Sequence, residues 1–391
     1  MKFDFDRIVD RRGTSSVKWD ENPDVDYPLW VADMDFEAAP SIIEALQRRI
    51  DHGVFGYATP SDSFYESVIA WHRRRHRVEY RRDWMILVPG VVPALSAVLR
   101  AMTHPSEGVI LLTPVYNCFF SSVRNMGCRT EECALRRQGD TFVIDFDDLE
   151  RRAAKPDVTV MMLCSPHNPC GRMWTREELQ RVGDICLRHH VFLLVDEIHC
   201  ELAMPGSCFF PYAALGEPYT SNCCICTSAS KCFNVAGLQC SEVIVPDETL
   251  RHRIDRGVNI HEVCDIWPLG LLATEAAYNG GEEWLDQLVS YIWENYRAAR
   301  TLIEAEAPLL RVCRLEATYL MWVDISAVGL TSEQFCDQIR RDCGVRFSPG
   351  TMYGADGEGY IRVNLATQRS RLLEGLRRLA RFVNENAAPP A

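Results

Sequence analysis

Six short apolar runs recur between turn residues through the middle of the chain: "WMILV" (84–88), "VILLT" (109–113), "VTVMMLC" (158–164), "VFLLVDE" (191–197), "CCICTS" (223–228) and "SEVIV" (241–245). Each is too short for a buried helix and lacks the polar alternation of a strand with one wet face. Each therefore reads as a strand covered on both sides. Helical patterns lie between them. In "TREELQRVGDICLRHH" (175–190), Thr175 and Glu178 have capping-box spacing, and Leu179, Val182 and Cys186 share one face. Strand, helix, strand, repeated, predicts a doubly wound α/β domain with a mostly parallel sheet.

After about residue 282 the pattern changes. A long amphipathic stretch, "GEEWLDQLVSYIWENYRAARTLIEAEA" (281–307), leads into two strand-like segments and the helical patterns "TSEQFCDQIRRDCG" and "RSRLLEGLRRLARFVNEN". This reads as a smaller α+β domain hung from a connecting helix. The expected division is residues 1–45 as an arm and part of the small domain, 46–284 as the large domain, and 285–391 as the small one. A chain of 391 residues is long enough for such a pair.

Acidic residues outnumber basic ones, 54 to 42, giving a net charge of −12, which argues against nucleic acid or an anionic membrane as partner. The basic stretch "WHRRRHR" (71–77) runs against that balance and reads as the solvated face of a helix. No apolar run approaches the ~18 residues of a membrane span, and the N-terminus lacks a signal-peptide core, so a cytoplasmic protein is expected. The 17 cysteines have no paired ligand spacing outside one apolar run and read as reduced, small hydrophobes.

In an open α/β sheet ligands bind beyond the carboxyl ends of the strands, so the residues just after each run matter most. After the first run comes a glycine turn, where Gly90, Val91 and Val92 open a helix whose free N–H groups suit a phosphate. After the second stands Tyr116, and after the third Asn168, between His167 and Pro169. Asp196 ends the fourth run, a buried carboxylate that needs a cationic partner or strong donors. Ser228, Ser230 and Lys231 follow the fifth, in "SASK". A lysine there loses solvation and is pushed toward its neutral form, which suits imine chemistry with a carbonyl compound. Pairing with Asp196 is the bland alternative. A third arrangement puts both on one aromatic cofactor, the aspartate facing a pyridine nitrogen and the lysine an aldehyde, as with pyridoxal phosphate. The glycines of "YGADGEG" (353–359) precede a strand, not a helix, and read as turns.

The ordered set Asn168, Asp196 and "SASK" resembles the fold type I pyridoxal phosphate enzymes, the class I/II aminotransferase superfamily. More narrowly, "DRRGTSSVKWD", "PLWVADMDF", "HGVFGY", "PHNPCGRMWT", "DEIHCEL", "SKCFNVAGLQ", "ATYLMWVD" and "GEGYIRVNLAT" resemble the cystathionine β-lyase subgroup of carbon–sulfur lyases, the MalY/PatB type. The likeness runs from about residue 3 to 383. It implies an aspartate aminotransferase-like fold and a homodimer with shared active sites. It implies that Lys231 carries pyridoxal 5'-phosphate covalently and moves the Cα proton, that Asp196 keeps the pyridine nitrogen protonated, and that Asn168, with His199, reaches the ring hydroxyl. Tyr116 would stack on the ring. Gly90, Val91, Val92, Ser228, Ser230 and a neighbouring subunit's Tyr57 would hold the phosphate; Arg362 would clamp the carboxylate of an amino-acid substrate beside Ala32.

Aminotransferases of this superfamily usually place an arginine on the phosphate eight residues after the lysine. Here position 239 is glutamine, which favours the lyase subgroup. Ala317 stands where that subgroup usually has glycine, and Cys170 and Cys232 replace other small residues, so the substrate pocket is less well defined by the likeness. The expected activity is β-elimination from L-cysteine thioethers to thiol, pyruvate and ammonia. The rivals are transamination on the same scaffold and a regulatory protein that keeps the cofactor but acts through a partner.

Overall fold

The computed structural model describes residues 2–386. Seven strands form its large sheet: β1 (Met85–Val88), β2 (Gly108–Thr113), β3 (Arg129–Ala134), β4 (Val158–Cys164), β5 (Phe192–Asp196), β6 (Cys223–Thr227) and β7 (Ser241–Ile244), in the order β1-β7-β6-β5-β4-β2-β3. Strands β2 to β6 pair in parallel, whereas β7 runs antiparallel to both β1 and β6. The continuous apolarity of the central runs has its reason here, since every residue of β5 and β6 is buried. Cys223 and Ile225 pack on one face, Cys224 and Cys226 on the other. All 17 cysteines are free thiols.

Helices α1 (Pro40–His52), α2 (Asp62–His76), α3 (Val91–Met102), α4 (Asn117–Asn125), α5 (Phe146–Ala153), α6 (Arg176–Arg188), α7 (Glu248–Asn259) and α8 (Pro268–Gly280) surround this sheet. Residues of α3, α4 and α7 share one core layer with Leu111, Val160, Leu194 and Cys226. Helix α6 packs on the other face, its Thr175–Glu178 capping box present as the spacing predicts. Of "WHRRRHR" only part is solvated. Trp71 and His72 are buried, and His76 and Arg75 turn inward to Glu201, because the stretch lies across the helix and not along one side.

The 25-residue α9 (Glu282–Glu306) leads to a four-stranded antiparallel sheet of β8 (Arg311–Val312), β9 (Leu320–Asp324), β10 (Ser348–Pro349) and β11 (Tyr360–Asn364), in the order β8-β9-β11-β10. Helices α10 (Ser332–Cys343) and α11 (Arg369–Asn386) flank it. The N-terminal segment joins this part, with Tyr27–Pro28 running parallel to Val345–Arg346. Its next residues cross to β11, where Asn364 N donates to Leu29 O at 2.9 Å. "YGADGEG" forms tight turns, and Gly357 is required there because a Cβ would lie 2.0 Å from Gly350 O. Among the described residues no helix is long and apolar enough to cross a membrane.

Candidate active site

The carboxyl ends of the central strands open into a cleft of about 280 Å³. On its floor Asp196 ends β5 with 3% exposure, and Ile198 N donates to its carboxylate at 3.0 Å. Burial raises its pKa to about 6, while that amide and Lys231 work the other way. Such a carboxylate, desolvated and weakly compensated, is ready for a cationic partner.

Lys231 supplies an amine to the same cleft. Its Nζ donates to Ala32 O at 2.8 Å, so its hydrogen bond goes to the N-terminal segment rather than to Asp196. Burial first, then the nearby Arg362 charge, lower its pKa. Arg362, on β11 of the small sheet, is joined to the cleft through Asn168. Nη1 donates to Asn168 Oδ1 at 3.2 Å and Nη2 to Trp30 O at 2.9 Å, while the guanidinium lies 4.8 Å from the Tyr353 ring. Its Nε is buried with no partner, and its planar fork is fixed before any carboxylate arrives.

Tyr116 lines the cleft at the N-cap of α4, and burial raises its pKa. His199 lies on the wall, 3% exposed, with Nδ1 unpartnered; burial, then Lys231 and Arg362, lower its pKa to about 3, so it is neutral. At the far end Val91 and Val92, the first residues of α3, line the cleft. Gly90 precedes them at φ 130°, a conformation that side chains disfavour. Ser230 lines the same end. Ser228 sits just behind it, donating to Cys240 O at 2.7 Å and accepting from Ser230 N at 3.1 Å.

Tyr57 stands apart from this group. It is fully exposed on the segment before α2, beside Trp267. Cys170 and Cys232 are buried and do not line the cleft; the Cys232 thiol meets Ala229 O at 3.4 Å. Sequence reasoning missed the backbone acceptors Trp30 O and Ala32 O, and Tyr319, whose hydroxyl also donates to Ala32 O at 2.8 Å. Every residue has a carbonyl, so no side-chain pattern marks the two acceptors.

The family described as aminotransferase class I and II matches residues 28–379. The chain belongs to that family. Within it, the cystathionine beta-lyase PatB of Bacillus subtilis (strain 168) is 38% identical over 380 residues, spanning 96% of this chain and 98% of the relative. Protein MalY of Escherichia coli (strain K12) is 32% identical over 381 residues, 96% of this chain and 97% of that one. Cystalysin from Treponema denticola, whose crystal structure contains pyridoxal 5'-phosphate, superposes with a TM-score of 0.96 at 33% identity, covering 98% of this chain and all of that one.

The residues of this class I and II aminotransferase family member fit the same cofactor. Asp196 is a buried carboxylate seeking a cation, the α3 amides form an anion cradle, and Lys231 is an amine pushed toward neutrality between them.

Proposed function

We propose that the protein is a pyridoxal phosphate-dependent carbon–sulfur β-lyase that cleaves L-cysteine thioethers such as cystathionine to thiol, pyruvate and ammonia. One observation carries the reading: the Lys231 amine, its pKa lowered by lost solvation, shares one cleft with Asp196 and Asn168, and Arg362 is hydrogen-bonded to that Asn168. Asp196 would face the cofactor's ring nitrogen, Asn168 and His199 its hydroxyl, and Tyr116 its ring. Val91 and Val92, with Gly90, Ser228 and Ser230, would take its phosphate. When bound, the cofactor supplies an electron sink for a carbanion at the substrate's Cα.

The chain's own residues do the rest. Arg362 holds the α-carboxylate with its preset fork, beside Ala32, which fixes the Cα–H direction. Lys231, released from Ala32 O, takes the Cα proton as a neutral amine. Loss of the thiol from Cβ follows, and water completes the conversion to pyruvate and ammonia. Neutral Gln239 at the phosphate end supports elimination over transamination. We further infer a cytoplasmic homodimer in which Tyr57 serves the neighbouring cleft, residues 46–284 forming the cofactor domain and 285–391 with the N-terminal segment the small one. Support comes from Phe55, Tyr57 and Trp267, exposed apolar residues that line one surface depression.

The test is release of pyruvate and free thiol from cystathionine with no 2-oxo acid added. Wild type should give both and Lys231→Ala neither; consumption of the amino acid only when a 2-oxo acid is present would sink the lyase reading in favour of transamination.

A further inference from the structure

The phosphate end of the cleft contains a donor with no assigned role. Helix α3 presents the amides of Val91 and Val92, its first bond closing from Ala94 N to Gly90 O at 3.1 Å, and no side chain caps it. Facing this turn, Ser241 opens β7. It pairs with Val88, the last residue of β1, so it stands where the chain leaves the sheet for Gly90 and α3. Ser241 is 1% exposed, lines the cleft, and its hydroxyl has no partner. Strand alternation explains its direction, because the next residue, Glu242, turns to the other face and accepts from Thr227 at 3.1 Å.

The neighbouring hydroxyl is committed. Ser228 Oγ already donates to Cys240 O at 2.7 Å, lies 2.9 Å from Ser230 Oγ and accepts from Ser230 N, so it must give up a bond before it can turn to a phosphate. Position 239 brings no cation. A buried hydroxyl without a partner is rare unless a ligand completes it. Here it lines the same cleft as a helix N-terminus already suited to an anion.

We propose that Ser241 is a phosphate-binding residue, its hydroxyl donating to the cofactor's phosphate across from the α3 amides. Helix and serine together hold the phosphate without an arginine. The proposal rests on the pyridoxal phosphate reading above, and the experiment separates the two. Apoprotein is titrated with pyridoxal 5'-phosphate and with pyridoxal, which lacks the phosphate, following the visible absorbance. Wild type should bind the phosphorylated form far more tightly. Ser241→Ala should weaken pyridoxal 5'-phosphate by about tenfold or more, the worth of one charge-assisted hydrogen bond, and leave pyridoxal unchanged. The 31P resonance of the bound cofactor should shift in the variant.

An equal loss for both ligands, or no loss and no 31P shift, overturns the assignment while leaving the cofactor reading intact. A wild-type protein that binds neither ligand overturns both. If the alanine variant does not fold, Ser241→Cys, of similar volume but a weaker donor, is read by the same ratio.

Discussion

Replacing Glu201 with glutamine should destabilise the whole molecule, and the structure gives the size. Glu201 is buried; Oε1 takes the Trp71 indole N–H at 2.6 Å and meets His76 Nε2 at 2.5 Å, while Arg75 Nε lies 3.5 Å from Oε2. Burial works to raise its pKa, but attraction to His76 and the hydrogen bonds of His76 and Trp71 outweigh it and bring it from 4.5 to about 2. At about 1.4 kcal/mol per pH unit that depression is worth roughly 3 kcal/mol. Because the folded value lies below the unfolded one, the stabilisation is full above pH 4.5 and is lost as pH falls toward 2. Glu201→Gln keeps the shape but turns an N–H2 toward donors, so it should lose about 3 kcal/mol at pH 7. With an unfolding entropy of roughly 0.8 kcal/mol/K for 391 residues, the melting temperature should fall by about 4 °C. Urea unfolding of wild type and variant should show their difference shrinking to roughly half near pH 3. A difference below about 1 kcal/mol at pH 7, or one that stays constant down to pH 3, would refute the reasoning.

Other expectations bear on the site itself. Arg362→Lys keeps the charge but not the fork, so kcat/KM for cystathionine should fall by roughly 10- to 100-fold while cofactor absorbance persists; unchanged kinetics would remove Arg362 from the carboxylate. Light scattering should give twice the chain's mass. Mixing Tyr57→Ala with Lys231→Ala, each nearly inactive, should partly restore pyruvate release, since a mixed dimer rebuilds one intact site. No recovery on mixing would place Tyr57 outside the neighbouring cleft.

The central strands were legible because burial on both faces leaves no polar residue in β5 or β6 except at the end, and Asp196 stood out for that reason. Strand β3 was not, because it lies at the sheet edge and alternates: Glu131 and Cys133 are buried while Arg129 is exposed. The lysine question, ion pair or reactive amine, was open on sequence. Geometry resolves where the amine points, to Ala32 O, a main-chain atom that no residue pattern can announce. "WHRRRHR" misled by charge alone, since tertiary partners such as Glu201 drew half of it inward. Ser241 was hidden inside an apolar run, legible as strand but not as site.

Hydrogen bonds that define the cleft close very long loops. Lys231 and Ala32 are 199 positions apart, Arg362 and Asn168 194, and Arg362 and Trp30 332. No fragment, helical hairpin or half-built sheet can preform this constellation, because each piece lacks an atom another must supply. Whatever binds there therefore reads the completed tertiary structure, and by mass action it returns about 2.7 kcal/mol of stability when present at 100 times its dissociation constant. Visible colour in a preparation would then count correctly folded molecules, a folding assay carried by the chain itself.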